Sequence, residues 1–538
     1  MLPSCPDRLP SILLLLTGLQ LHSIKRAKLA GNPAMRSVQM TIAACLSVGI
    51  LAHPLAGAET WDVGLTGKGT LIEAAAVPGS SAAVPTVLLV GGLAGEDRSA
   101  AAVTREVQAF EATKPGARRF RLIAIALANP DRAAVSFPPA GTAYRDNPES
   151  HALWRWIGIQ APDLVLVAGD QDFGLAEALS QNAVAGVGRI SARAVPARPG
   201  ILRSVKTIPP SEAHHEIERR LRRTPRQLAE ELAQYYGHDF DQAAYIQAVA
   251  LIGQLRLGHQ ADVERLVSPF VDGSKDSLAR PTSPTLAGHL VFAALAERTH
   301  DDRYLRLVRK TADLGFTASG EMKESMPLHE EMSDSVFMAC PILASAGKLT
   351  GETRYFDMAA RHFSFMQKLC LRTDGLYRHS PLTDAAWGRG NAFPALGLAW
   401  ALSDFPEQHP QVSRMVRAFQ DHMAELARFQ DSSGMWREVI DQRGAYPEFS
   451  ATAMIAAAML RGIEKGWLEP ASYRPRVDRA WRAILTRTGA DGRLIDVCES
   501  TGKQKTLGDY LRRAAILDRD PRGGAMAMLL ATELAGSP

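Results

Sequence analysis

The chain has 538 residues. That is too many for one ordinary core, and domains of ~50 to 250 residues make two or three units the expectation. With 46% hydrophobic and 22% charged residues, the composition is that of a globular protein and not of a disordered chain. A formal charge of +4 is small for this length, and no interleaving of basic and aromatic residues points to a nucleic-acid partner.

Residues 1–58 read as a leader. Met35-Arg36 offers a second start, an apolar run follows from Thr41 to Ala52, and Ala56-Gly57-Ala58 precedes Glu59. A positive n-region, a short h-region and an A-x-A site make a secretory signal, too short for the ~20 apolar residues of a membrane span. The expectation is a start at Met35, cleavage after Ala58, and a periplasmic or secreted protein free of the membrane. Three cysteines then remain, Cys340, Cys370 and Cys498, which form no disulfide framework and no metal cluster.

Residues 59–200 alternate β-rich runs with helical ones. Thr86–Val90, Phe120–Leu127 and Leu164–Ala168 are strand candidates, with helices around 101–112 and 148–157. That alternation predicts an α/β layer with a mostly parallel sheet. Residues 201–223 are polar and basic with Pro209-Pro210, as in a linker. From Thr224 the pattern is helical to the end. Thr224-Pro225-Arg226-Gln227 sets a cap, an N1 proline and a capping-box glutamine in order. Eleven or twelve helices are expected over 224–538.

Within them runs a repeat. Ser319-Gly320, Asp374-Gly375, Ser433-Gly434 and Asp491-Gly492 are 55, 59 and 58 residues apart. One helical hairpin per about 57 residues predicts six hairpins, which close into an (α/α)6 toroid with equivalent turns at one end. Glu324, His379, Glu438 and Asp496, four beyond each glycine, would ring that mouth.

The stretch densest in functional side chains is His379–Asn391. Trp387 offers a flat face for a sugar ring, Arg389 a bidentate fork for a carboxylate, and Gly388 and Gly390 let the backbone approach closely. Taken by themselves these features also fit a structural loop with a packed tryptophan.

Trp387-Gly388-Arg389-Gly390-Asn391 resembles the W-x-R-G-N signature of glycoside hydrolase families 88 and 105, the unsaturated glucuronyl and rhamnogalacturonyl hydrolases. Other pieces follow in the family's order. Asp334-Ser335-Val336-Phe337-Met338 resembles D-x-x-F-M, Gly375–His379 resembles G-L-x-x-H, and Gly434-Met435-Trp436 with Glu448–Ala453 resembles the G-x-W and E-x-S-A-T-A pair. Asp520–Ala525 is similar to the terminal G-G-A helix start, so the resemblance covers roughly 225–538. It implies hydration of the C4=C5 double bond that polysaccharide lyases leave on a non-reducing uronyl residue. A single carboxyl group that donates a proton and then activates water can suffice. The resemblance assigns that role to Asp334, and binding of the acidic oligosaccharide to His379, Trp387, Arg389, Asn391 and Glu448, with no cofactor and no metal. Without the family pattern, Asp334 reads as a helix cap and Glu448 as a helix-start charge. The family's second aspartate has no counterpart in Pro281–His289, which leaves Asp272 or Asp276 as substitutes.

Residues 84–180 resemble zinc carboxypeptidases of the M14 type. Gly91-Gly92-Leu93-Ala94-Gly95-Glu96-Asp97 stands at their G-G-x-H-G-x-E, Asn129-Pro130-Asp131 at N-P-D, and Pro148–Trp154 at P-E-s-x-A-L. Ala94 and Ala168-Gly169 occupy the positions of two histidine ligands, so the resemblance implies a non-catalytic module. Two other readings stay open: a carbohydrate-binding pseudoenzyme, and a peptidase or deacylase acting through the N-terminal part.

Overall fold

The computed structural model describes residues 58–536. The expected leader and the start at Met35 lie, apart from Ala58, outside the described residues. No described helix is long and apolar enough to cross a membrane.

The N-terminal part is a six-stranded sheet. Its strands are β1 (Glu59–Leu65), β2 (Leu71–Val77), β3 (Thr86–Val90), β4 (Arg121–Ile125), β5 (Leu164–Ala168) and β6 (Ala192–Val195), in the order β1-β2-β4-β3-β5-β6. The pairs β3–β4, β3–β5 and β5–β6 are parallel. A β1–β2 hairpin joins antiparallel at the β4 edge, so the sheet is mixed. The parallel centre follows from the sequence, because β3 and β5 are short continuous apolar runs of the kind buried on both faces. The hairpin was not foreseen; Ala-rich β2 carries little strand propensity. Helices α1 (Asp97–Glu111), α2 (Pro148–Gln160) and α3 (Leu175–Gln181) cover the sheet. Residues 201–223, expected as a linker, contain a further helix, α4 (Glu212–Leu221), capped by Ser211 accepting from His214 N–H.

The rest is a closed ring of helical hairpins. An inner set comprises α6 (Tyr245–Arg256), α8 and α9 (Ser283–Gly288, Leu290–Thr299), α11 (Ser335–Thr350), α13 (Gly388–Asp404), α15 (Phe449–Glu464) and α18 (Pro521–Leu534). Each packs on the next, and α18 returns to α6. An outer set comprises α5 (Pro225–Ala233), α7 (Gln260–Val271), α10 (Asp302–Ala312), α12 (Thr353–Cys370), α14 (Val412–Arg428) and α16 (Pro470–Thr486). The division is written in the residues. Inner α13 and α15 are apolar nearly all round and buried along their length, while outer α10 and α14 bury one stripe. The Thr224 capping box forms as expected at the start of α5.

The 57-residue repeat is structural. At all four turns an N–H bonds the carbonyl four residues on: Thr317 to Glu321 (2.8 Å), Arg372 to Leu376 (2.8 Å), Asp431 to Met435 (2.9 Å) and Gly489 to Arg493 (2.8 Å). Gly320, Gly375, Gly434 and Gly492 sit inside these loops at φ between 78° and 89°, where a side chain would be strained.

Among the described residues, the sheet part and the ring form one compact unit. A β-hairpin of β7 (Leu494–Cys498) and β8 (Ala515–Asp518), spanning a short helix α17 (Leu507–Leu511), joins them. Leu494 and Val497 enter the core of the ring, while Ile495 and Leu517 enter the core beside the sheet. Arg155 on α2 forms a buried ion pair with Asp496, and Tyr144 stacks on Tyr446 at 4.5 Å.

Candidate active site

Asp334 stands at the N-cap of α11, the position where a carboxylate ordinarily accepts from the helix N–H groups. Its side chain makes no such bond. The residue before it is tied down instead: Ser333 N–H donates to His379 O (2.9 Å), and Ser333 Oγ donates to Gly390 O (2.7 Å). The carboxylate is held in place but not used by the helix. Its Oδ1 is buried without a hydrogen-bond partner, and the side chain keeps 14% exposure.

The group facing Oδ1 is His379, whose Nε2 lies 3.4 Å away and is itself buried without a hydrogen-bond partner. On the other side of the ring, Nδ1 is 2.8 Å from Tyr510 Oη on α17. Tyr510 Oη also accepts the Gln504 N–H at 3.2 Å. The Tyr510 contact fixes the ring so that Nε2 is the nitrogen turned to Asp334.

Of the other motif residues, Arg389, Asn391 and Glu448 are spent on protein, while Trp387 is packed with its Nε1 unbonded among the described residues. Trp387 is buried, with His379 at 4.3 Å between ring centroids and the Arg389 guanidinium 4.7 Å above its face. In place of the open sugar platform expected, its indole is a wall behind His379. Arg389, expected to present its fork to a substrate carboxylate, donates to Cys498 O (2.7 Å) and Glu499 O (2.7 Å) and lies 3.6 Å from Glu448. Asn391, expected at the substrate, uses its full capacity internally. Its Nδ2 donates to Tyr377 O (2.9 Å) and Trp387 O (3.0 Å), and its Oδ1 takes Tyr377 N–H (2.7 Å) and His422 Nε2 (3.3 Å). Glu448 caps α15 through Ser450 and Ala451 N–H and also accepts from Cys498 N–H at 2.9 Å.

Glu438 is the acidic group that motif reasoning passed over, although the repeat placed it at the mouth. It is fully buried, and both carboxyl oxygens lack partners. Burial, and next the charge of Glu448, push it well above the usual carboxylate range, which favours its neutral form. Its neighbours by charge include Arg389 and Tyr510. Tyr510 itself left no signal in the sequence, because it lies in a short helix outside the repeat. The other mouth positions divide: Glu324 is exposed, and Asp496 is committed to Arg155. Neither substitute for the family's second aspartate serves the site. Asp272 is exposed and accepts from Ser274 N–H in its own turn, and Asp276 pairs with Lys310 at the surface. An open cleft of about 580 Å³ lies beside the loop, lined by Arg372, Arg378, Asp384 and Leu507.

In the sheet part, Ala94 is exposed after β3, and Gly169 follows β5 at φ 153°. Asn129 Nδ2 donates to Leu93 O and Ala133 O, a structural bond that closes its loop. No three His, Cys, Asp or Glu side chains come together to hold a metal ion among the described residues.

Comparison with known proteins gives the same region a lineage. The unsaturated rhamnogalacturonyl hydrolase YesR of Bacillus subtilis is 27% identical over 242 residues, covering 41% of this chain and 68% of that protein. An unsaturated 3S-rhamnoglycuronyl hydrolase of Formosa agariphila is 26% identical over 182 residues, covering 30% of this chain and 48% of that protein. A solved structure of a possible GH105 member from Salmonella enterica shares the fold with a TM-score of 0.50, at 24% identity over 59% of this chain and 93% of its own. The family model for Glycosyl Hydrolase Family 88 matches residues 260–537, just over half of the chain and nearly the whole helical ring, and the chain belongs to that family.

Proposed function

We propose that this protein removes the 4,5-unsaturated uronyl residue from the non-reducing end of lyase-generated oligosaccharides by hydrating its C4=C5 double bond. One observation carries the reading. Asp334 occupies a helix-cap position without capping, and its free carboxyl oxygen faces an unpartnered imidazole nitrogen. Such polar capacity left unused in a family 88 ring is suited to a ligand.

The chemistry needs one carboxyl group. Asp334, protonated, delivers its proton to C4 of the enol ether, and positive charge develops across C5 and the ring oxygen. The resulting carboxylate takes a proton from water as that water attacks C5, which regenerates the acid. The hemiketal formed at C5 opens and releases the aglycone. His379, beside Tyr510, faces Oδ1 across 3.4 Å without bonding it and sets the position of the carboxyl group for the proton transfer. Trp387 and Arg389 fix the back of the imidazole, and Asn391 and Glu448 fix the segments bearing His379 and Arg389. These are positioning roles: Arg389, Asn391 and Glu448 bond to protein, and the buried Trp387 indole, whose Nε1 has no partner among the described residues, packs against His379.

The test follows the ultraviolet absorbance of the conjugated uronate in lyase-digested pectin and glycosaminoglycan fragments. The reading requires absorbance lost with the parent protein and retained with Asp334→Asn. Absorbance retained on every fragment with the folded parent would leave the ring as a sugar-binding scaffold.

A further inference from the structure

The seam between the sheet part and the ring encloses a second site. A cavity of about 240 Å³ lies there, with β1, β4 and α2 on one side and the turns after α14 and α16 on the other. Four arginines and three aspartates line it. Arg155 is committed to Asp496, and Arg437 to Asp62. Asp431 spends Oδ1 on the N–H groups of Ser433 and Met435. Two guanidinium groups remain. Arg121 lies 4.8 Å over the Trp61 ring and forms no ion pair among the described residues. Arg487 is only 4% exposed, and no carboxylate lies within 4.0 Å of it among the described residues. Its Nε has no partner, and its Nη1 makes only long contacts, 3.4 Å to Ala483 O and 3.5 Å to Thr486 Oγ1.

Asp496 and Asp431 act on Arg487 only from beyond ion-pair distance, and a buried guanidinium with no carboxylate in contact is costly to keep, whereas an apolar residue of similar size would pack there without that cost. Trp61 and Trp156 supply flat indole faces in the same cavity, with ring centroids 6.4 Å apart. The volume falls below the ~300 to 1,000 Å³ of sites for drug-sized ligands, so it admits one sugar ring and not a chain. We propose that this seam binds a single acidic sugar unit, its carboxylate on Arg487 and Arg121 and its ring against Trp61 and Trp156. The site is separate from Asp334, and it gives the sheet part a role in holding acidic glycan at the ring.

Isothermal titration of the full chain with glucuronate, glucose and inorganic phosphate tests this. Glucuronate is expected to bind saturably. Arg487→Gln should weaken it at least about tenfold, since a charge-assisted bond to a carboxylate is lost. Arg487→Lys should recover part of the affinity, and His379→Ala should leave it intact. The proposal is overturned if folded Arg487→Gln binds glucuronate as tightly as the parent, or if binding is lost with His379→Ala instead. Phosphate binding as tight as glucuronate would also overturn it, because the sugar ring would then contribute nothing. If Arg487→Gln does not fold, Arg121→Gln and Trp156→Leu carry the same expectation.

Discussion

Two sets of buried polar side chains meet at one end of the helical ring. Arg389, Asn391 and Glu448 come from the most recognisable motifs, and nearly all of their donors and acceptors are bound to protein. Asp334, His379 and Glu438 each keep at least one buried oxygen or nitrogen without a partner. A buried polar group that goes unmet costs stability, so a fold retains one where something else is gained. The spent set builds the wall, and the unspent set is left for chemistry. Substitutions should therefore separate the two sets: changes in the first cost stability, and changes in the second cost turnover.

The largest effect expected is on rate. Asp334→Asn removes the only proton donor in the proposed mechanism while keeping the shape of the side chain. General acid–base groups are worth ~10²–10⁴-fold, so kcat should fall about 10³-fold, or about 4 kcal/mol of barrier. The urea unfolding midpoint should move little, because Asp334 gives α11 no cap. A large drop in stability with Asn would place Asp334 in the spent set.

Arg389→Met should invert that pattern. It leaves the Cys498 and Glu499 carbonyls unmet and Glu448 without its buried cation, a loss of about 3 to 4 kcal/mol by urea unfolding. Asn391→Ala should follow at about 2 to 3 kcal/mol, since the Tyr377 N–H and C=O both lose their partner. If either variant unfolds like the parent but loses turnover, the wall is touching substrate and the division fails.

The fold was more legible than the division. The ring could be read from the glycine-turn repeat, because outer helices carry an apolar stripe and inner ones are apolar throughout. β3 and β5 were legible as apolar runs, and α2 as a proline-started helix. The β1–β2 hairpin and the pairing of β7, β-prone at Leu494-Ile495, with β8 were not, since edge and bridging strands depend on tertiary pairing more than on local pattern. At the site, residue type and order pointed to Asp334 and His379. Residue type alone could not tell that the Arg389 fork turns inward. That depends on the β7 carbonyls, more than 100 residues away, and Tyr510 reaches His379 from still farther along the chain.

The smallest effect is the one that reads the unspent set most directly. Burial and Glu448 raise the pKa of Glu438 well above the carboxylate range in the folded protein, whereas in the unfolded chain it ionises near 4.5. Its contribution to stability is therefore fully present below about pH 4.5 and is lost as pH rises toward the folded value. Glutamine has the same shape and does not titrate. The stability difference between Glu438→Gln and the parent should be small at pH 4.5 and then move in favour of glutamine. The slope should approach about 1.4 kcal/mol per pH unit as the parent's unfolded state gives up its proton. Urea midpoints at half-unit steps from pH 4.5 to 7 would trace it. A flat difference would mean that Glu438 is ionised and paired in the folded protein, which would return it to the spent set and leave Asp334 and His379 as the unspent pair.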